Sequence, residues 1–353
     1  MPRFHIVTAS ATDLDAFERG AAEGQSPRHA IPVLVRRLGA TLHQTAFSAP
    51  TPSLRDRLLS RLIGTPRSWA FVRDFVPRVG RGDVVYCTEE NVSVPMASAV
   101  RRCADRPKLA VFMVNIDRPR GRLASKLLRI ADTVDLFVAC CTTQLEFLRR
   151  HLKVADDRLY LLLEHLDNHF FTPGPPAPGK RRPVIAAAGM EKRDYRTLAA
   201  ATHDLDVDVK VGAWSRYAKV LSRSFPDELP ANMTRQFYKG PELVQLYRDG
   251  DVVVVPVLPC KYAAGVTSLM EAMACNRPVV VTRSPGLSDY LAPPEGVSVV
   301  EPSDPMALRA AIVRLLDDPE EAQVMARQGY ESAARRYDFD QAVETLARRL
   351  EAL

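Results

Sequence analysis

The stretch "AAGVTSLMEAMACNRPVVVT", Ala263 to Thr282, sets one acid, Glu271, inside an apolar run. A helix starting after Gly265 leaves its first amides without intrahelical partners. Those of Gly265, Val266, Thr267 and Ser268 can then donate to an anion, aided by the helix dipole. The hydroxyls of Thr267 and Ser268 add two further donors. Thr267 and Glu271 lie one turn apart on a shared face. A phosphate at the helix start would therefore bring its attached sugar to Glu271, and a carboxylate accepts from both hydroxyls of a ribose. The plainer alternative is a capped helix with a partly exposed acid.

A second cluster lies in "AAGMEKRDYRTLAAA", Ala187 to Ala201. A strand ends at Gly189, and Lys192 and Arg193 precede the next helix. Strand-to-helix loops lie at the carboxyl edge of an α/β sheet, where a guanidinium can bind two phosphate oxygens at once. Solvated loop charge is the alternative. Lys261, just before the glycine turn, can meet a phosphate or a sugar hydroxyl, or simply face water. In the first half, His29 near a helix start is a candidate to orient an acceptor or move a proton. Glu89 and Glu90 follow a strand, as do Asp117 and Arg118, and each is a candidate cleft residue.

Composition narrows the class. The chain has 353 residues, 46% hydrophobic and 25% charged, the balance of a globular protein long enough for two domains. No apolar run reaches the length of a membrane span, and the N-terminus lacks a signal-peptide layout, so a cytoplasmic protein is expected. The six cysteines show no Cys-x-x-Cys spacing and read as reduced core residues. A net charge of +6 suits an anionic ligand or surface. Nucleic acid is not expected, because zinc-finger spacing, an RRM signature and aromatic-interleaved basic stripes are all missing. The segment "LRDRLLSRLIGTPRSW", 54–69, is basic and partly amphipathic; it reads as a surface helix or as a weak contact with an anionic membrane. The Asp-x-Asp strings at 13–15, 206–208 and 338–340 do not stand where a metal site needs them, so no metal is expected. Hydrolase and kinase motifs are missing as well.

These residues need elements to hold them, and the chain supplies an alternation from end to end. "FHIVTA", "DVVYC", "KLAVFMVN", "DLFVACC" and "LYLLLE" read as strands, with amphipathic helices between them. Proline and glycine dominate "TPGPPAPGKRRP", 172–183, which reads as a linker. The alternation then restarts through "PVIAAAG", "VDVKVGA", "DVVVVPVL", "PVVVT" and "GVSVVEP". The expected fold is α/β: two Rossmann-like doubly wound domains facing a central cleft. The first domain is placed at 1–170 and the second at 171–335, with a helix at 336–353 crossing back to the first.

The second half resembles the nucleotide-binding domain of GT-B glycosyltransferases, glycosyltransferase family 4 in particular. Four runs carry the resemblance in family order: "LLLEHLDNHFFTPGP", "GMEKRDYRTLAAA", "ELVQLYRDGDVVVVPVL" and "AGVTSLMEAMACNRPVVVT". It covers roughly 160–300; the first half matches only in element pattern. The sequence departs from the family at Ala263, where many members carry an acid, at Asn276 in place of glycine, and in lacking a Gly-rich loop after the first strand. The resemblance implies a glycosyltransferase using a nucleoside diphosphate-sugar as co-substrate, with no other cofactor and with retention at the sugar. It implies that Glu271 takes the ribose hydroxyls, that Gly265 to Ser268 take the diphosphate or sugar, and that Gly189 lies beside them. Lys192 or Arg193 would neutralise the phosphates, with Glu90 and His29 as further catalytic candidates. A nucleotide-sugar epimerase or hydrolase on this fold and a non-catalytic sugar-nucleotide-binding protein are the rival readings. The Arg- and Ala-rich composition suits a bacterial source.

Overall fold

The computed structural model describes residues 2–213, 224–291 and 296–353. The chain forms two compact units. The first comprises residues up to Ala16, His29–Leu163 and Asp340–Leu353; the second comprises Phe17–Arg28 and Glu164–Phe339.

The first unit is built on a parallel sheet of β1 (Arg3–Thr8), β2 (Thr41–Gln44), β3 (Asp83–Cys87), β4 (Lys108–Met113), β5 (Leu136–Ala139) and β6 (Leu159–Leu161). Their order is β2-β1-β3-β4-β5-β6. The central strands are apolar throughout because helices cover both faces; Val85, Val111 and Phe137 are fully buried. Strand β2, "TLHQ", is short and polar and carries no strand signature in sequence. It holds its place at the sheet edge by pairing with β1. There Nδ1 of His5 lies 3.2 Å from Nε2 of His43, against Phe75. Burial lowers both imidazoles, His43 to about 4.

The second unit repeats the plan with β7 (Val184–Ala188), β8 (Asp208–Gly212), β9 (Met233–Gln236), β10 (Val252–Val255), β11 (Val279–Thr282) and β12 (Ser298–Val300). The order β12-β11-β10-β7-β8-β9 is the doubly wound arrangement in which strand order reverses between the first and fourth strands, here β7 and β10. Ligands of such sheets bind at the carboxyl ends of the strands at that reversal.

Two boundaries differ from the sequence expectation. The unit boundary falls at Leu163/Glu164 rather than near 170, and the proline-rich stretch is fastened to the second unit. Arg248 donates to the Thr172 carbonyl, Arg277 to the Gly174 carbonyl and the Ala177 amide to Asp249. Proline and glycine keep that stretch out of helix and sheet, yet its carbonyls still find donors. Residues 17–28 also belong to the second unit. Arg28 grips the buried Asp167 there through both its amide and its guanidinium. The helix Phe339–Glu351 lies almost wholly in the first unit, where Arg37 binds Glu344 at 2.6 Å and Glu351 at 2.8 Å.

Candidate functional site

The loops leaving β7 and β10 are zipped together. The Asp194 amide donates to the Pro256 carbonyl and the Leu258 amide to the Lys192 carbonyl, with Arg193 bridging to Val257. This turns Arg193 inward, and it is only 3% exposed. Its Nε donates to the Ala188 carbonyl at 3.0 Å, Nη1 to the Glu191 carbonyl at 2.8 Å and Nη2 to Ser268 Oγ at 2.9 Å. Three of the five N–H groups of the guanidinium are thereby used to hold the loop. Gly189 makes the arrangement fit: its φ is 99°, and a Cβ there would stand 2.3 Å from Arg193 Nη2.

The helix Val266–Ala274 begins directly beside this guanidinium. Its N-cap, Gly265, has φ 94°, and a Cβ there would meet Val257 at 2.7 Å and Arg193 Nη1 at 3.5 Å. The helix start offers fewer donors than the sequence suggested. The Val266 amide is already bonded to the Ala263 carbonyl, and Ser268 Oγ donates to the Ala188 carbonyl while accepting from Arg193. The amides of Gly265, Thr267 and Ser268 have no backbone acceptor among the described residues. Thr267 is exposed and keeps its hydroxyl available.

Glu271 is buried rather than partly exposed. Its Oε2 accepts from the Tyr247 hydroxyl at 2.6 Å, and both side chains are enclosed. Burial pushes the carboxyl up to about 7; the Tyr247 bond and the Arg193 charge pull the other way without overcoming it. Burial, reinforced by the Glu271 charge, holds the Tyr247 phenol well above its ordinary value. Tyr247 is a site residue that sequence reasoning missed. It stands 24 positions from Glu271, on a different helix (Gly240–Asp249), and no local pattern links the two.

The structure brings Gly189, Arg193, Gly265, Val266, Thr267, Ser268 and Glu271 together around one helix start. Lys192 is half-exposed on the same loop with φ 54°, and Lys261 is exposed. The Tyr262 hydroxyl donates to Glu191, which links the segment after β10 to the loop after β7.

Glu90 and His29 belong to the first unit and carry structural bonds. Glu90 Oε1 accepts from the amides of Val114 and Asn115, and burial raises its carboxyl. It braces the loop after β4 rather than presenting a free acid. Glu89 Oε1 likewise accepts from Ala9 and Thr8. His29 caps the helix Ala30–Leu38, its Nδ1 accepting from the Ile31 amide. Asp117 pairs with Arg122 at 2.5 Å. Among the described residues no three His, Cys, Asp or Glu side chains gather as a metal site would require.

Known proteins resemble this chain in part of its sequence and in its fold. Residues 212–318 match a family described as glycosyl transferases group 1. Two D-inositol 3-phosphate glycosyltransferases share 34% identity with this chain. The Corynebacterium urealyticum protein does so over 105 residues, 30% of this chain and 24% of that protein. The Salinispora tropica protein does so over 107 residues, 30% of this chain and 21% of that protein. The matched region thus spans about a quarter of these curated relatives. Solved structures align over the whole chain. A sucrose-phosphate synthase from Thermosynechococcus elongatus superposes with TM-score 0.71 at 17% identity, covering 99% of each chain. The Anabaena protein HepE, solved with UDP and glucose, gives 0.69 at 14% identity with full coverage of both chains. These likenesses establish the GT-B fold.

Proposed function

We propose that this chain transfers a sugar from a nucleoside diphosphate-sugar to an acceptor. The observation that carries the reading is the pairing of Arg193, and of helix-start amides with no backbone acceptor among the described residues, with a buried carboxylate, Glu271, one to two turns further along the same helix, at the strand-order reversal of the second unit. Arg193 and the amides of Gly265, Thr267 and Ser268 hold the diphosphate and stabilise its charge as the glycosidic bond to the sugar breaks. Lys192 and Lys261 add cations at the rim. Glu271, ionised, accepts from the ribose hydroxyls, with Tyr247 fixing its orientation. No metal or further cofactor is required in this scheme, and the sugar is transferred with retention. The protein acts in the cytoplasm.

Calorimetric titration with UDP, GDP, ADP and TDP tests the reading, with UDP first because the HepE structure holds it. One nucleotide binding in the micromolar range, weakened about tenfold or more in Glu271→Ala, is the expected result. No binding by any of the four overturns the reading. Release of free sugar without acceptor would favour the hydrolase alternative, and nucleotide binding without turnover on any acceptor the non-catalytic one. The anomeric proton of the product, read by NMR, decides retention.

A further inference from the structure

A face of the first unit carries chemistry that a donor site does not use. Leu54 and Leu58, one turn apart on the helix Leu54–Ser60, are 86% and 63% exposed. Leu123 and Leu127, one turn apart on the helix Pro119–Leu127, are 60% and 65% exposed. Exposed leucines paired in this way twice over form patches rather than scattered apolar residues. The two segments meet where the Arg120 guanidinium donates to the Arg61 carbonyl. A cavity of about 540 Å³ opens at this junction, lined by Ser60, Leu62, Gly64, Asn91, Arg118 and Arg120 among others.

The charge on this face has one sign. Arg55, Arg57, Arg61, Arg118, Arg120 and Lys126 are exposed and form no ion pair among the described residues. The two acids within these segments are already answered, Asp56 by Arg73 at 2.9 Å and Asp117 by Arg122 at 2.5 Å. Leucines that stand out beside unpaired arginines suit a partner that is apolar within and anionic at its surface. No helix among the described residues is long and apolar enough to cross a membrane, so such contact is peripheral.

We propose that this face docks on an anionic phospholipid membrane, with Leu54, Leu58, Leu123 and Leu127 entering the acyl boundary and a lipid phosphate headgroup seated in the cavity between Arg118 and Arg120. Apolar burial and attraction to anionic lipid act together in such contacts. A free phosphate compound would use the two arginines but would leave the leucines in water, which is why the lipid is the occupant favoured.

Vesicle co-sedimentation of the full chain tests this without any nucleotide, so the result is independent of the donor reading. The probes are phosphatidylglycerol-containing vesicles and pure phosphatidylcholine vesicles. The chain is expected to sediment with the former and not the latter, and to be released by high salt. Arg118→Gln with Arg120→Gln weakens partition about thirtyfold, at roughly fivefold per cation. Leu54→Gln with Leu58→Gln weakens it about tenfold or more. All four positions are exposed, and an unchanged unfolding midpoint verifies that both variants fold. Equal partition onto neutral vesicles overturns the proposal, as do full partition by the variants and failure to partition at all. Calorimetric binding of glycerol phosphate with no vesicle partition also overturns it, in favour of a soluble phosphate ligand.

Discussion

Glu271→Gln is expected to stabilise the protein in alkaline solution while impairing nucleotide binding. The ordinary carboxyl value is 4.5 and the folded value is about 7, so the folded state holds the proton more tightly than the unfolded chain. Stability from this group is therefore complete below 4.5 and is lost as pH rises towards about 7. Above that window the wild type carries the cost of a buried anion, about 3 kcal/mol. Glutamine keeps the shape and can still accept from Tyr247, but it carries no charge. Calorimetric unfolding at about pH 8.5 and about pH 5 compares the two proteins. The variant's second-unit transition should rise by up to roughly 10 °C at the higher pH, and the gain should nearly vanish at the lower. Nucleoside diphosphate affinity should fall about tenfold at the higher pH, where the wild-type carboxylate is ionised. Equal destabilisation at both pH values would refute the reasoning, because it would mean that Glu271 is ionised throughout and held as a structural ion with Arg193.

Other expectations follow from the same geometry. Nucleotide affinity of the wild type should fall below pH about 7 and level off about tenfold lower, because the proposed scheme needs the ionised form of Glu271 and the protonated acid resembles the glutamine variant. Tyr247→Phe removes a bond that holds the carboxyl down, so the midpoint of that binding profile should move to higher pH. Gly265→Ala forces a side chain into φ 94° and against Val257, and urea unfolding should show a loss of about 1–3 kcal/mol. Glu90→Ala takes the acceptor from the half-buried amides of Val114 and Asn115 and should cost about 1–2 kcal/mol in urea unfolding, yet leave nucleotide affinity unchanged.

Much of the fold was legible because parallel strands covered on both faces must be apolar. "DVVYC", "DVVVV" and "PVVVT" announce themselves, as do the amphipathic stretches between them. The strands that escaped, "TLHQ" and "MTRQ", lie at sheet edges where one side pairs and polar residues are tolerated. Their identity comes from the neighbouring strand and not from their own composition. Loop lengths and prolines likewise suggested a linker at 172–183, but arginines from elsewhere in the chain decide that it is fastened down.

The same division runs through the site. The sequence by itself determined that an acid sits in an apolar helix after a glycine turn, and that cations follow β7, because residue type and short-range spacing are local properties. Only the tertiary structure decided what those groups are free to do. Hydrogen-bond partners arrive from distant parts of the chain: Tyr247 for Glu271, Ser268 and Ala188 for Arg193, Val114 and Asn115 for Glu90. Burial, which makes Glu271 titrate near neutrality, is likewise a property of everything packed around a side chain. It turned one predicted acid, Glu271, into a group that titrates near neutrality, and backbone amides made another, Glu90, a brace.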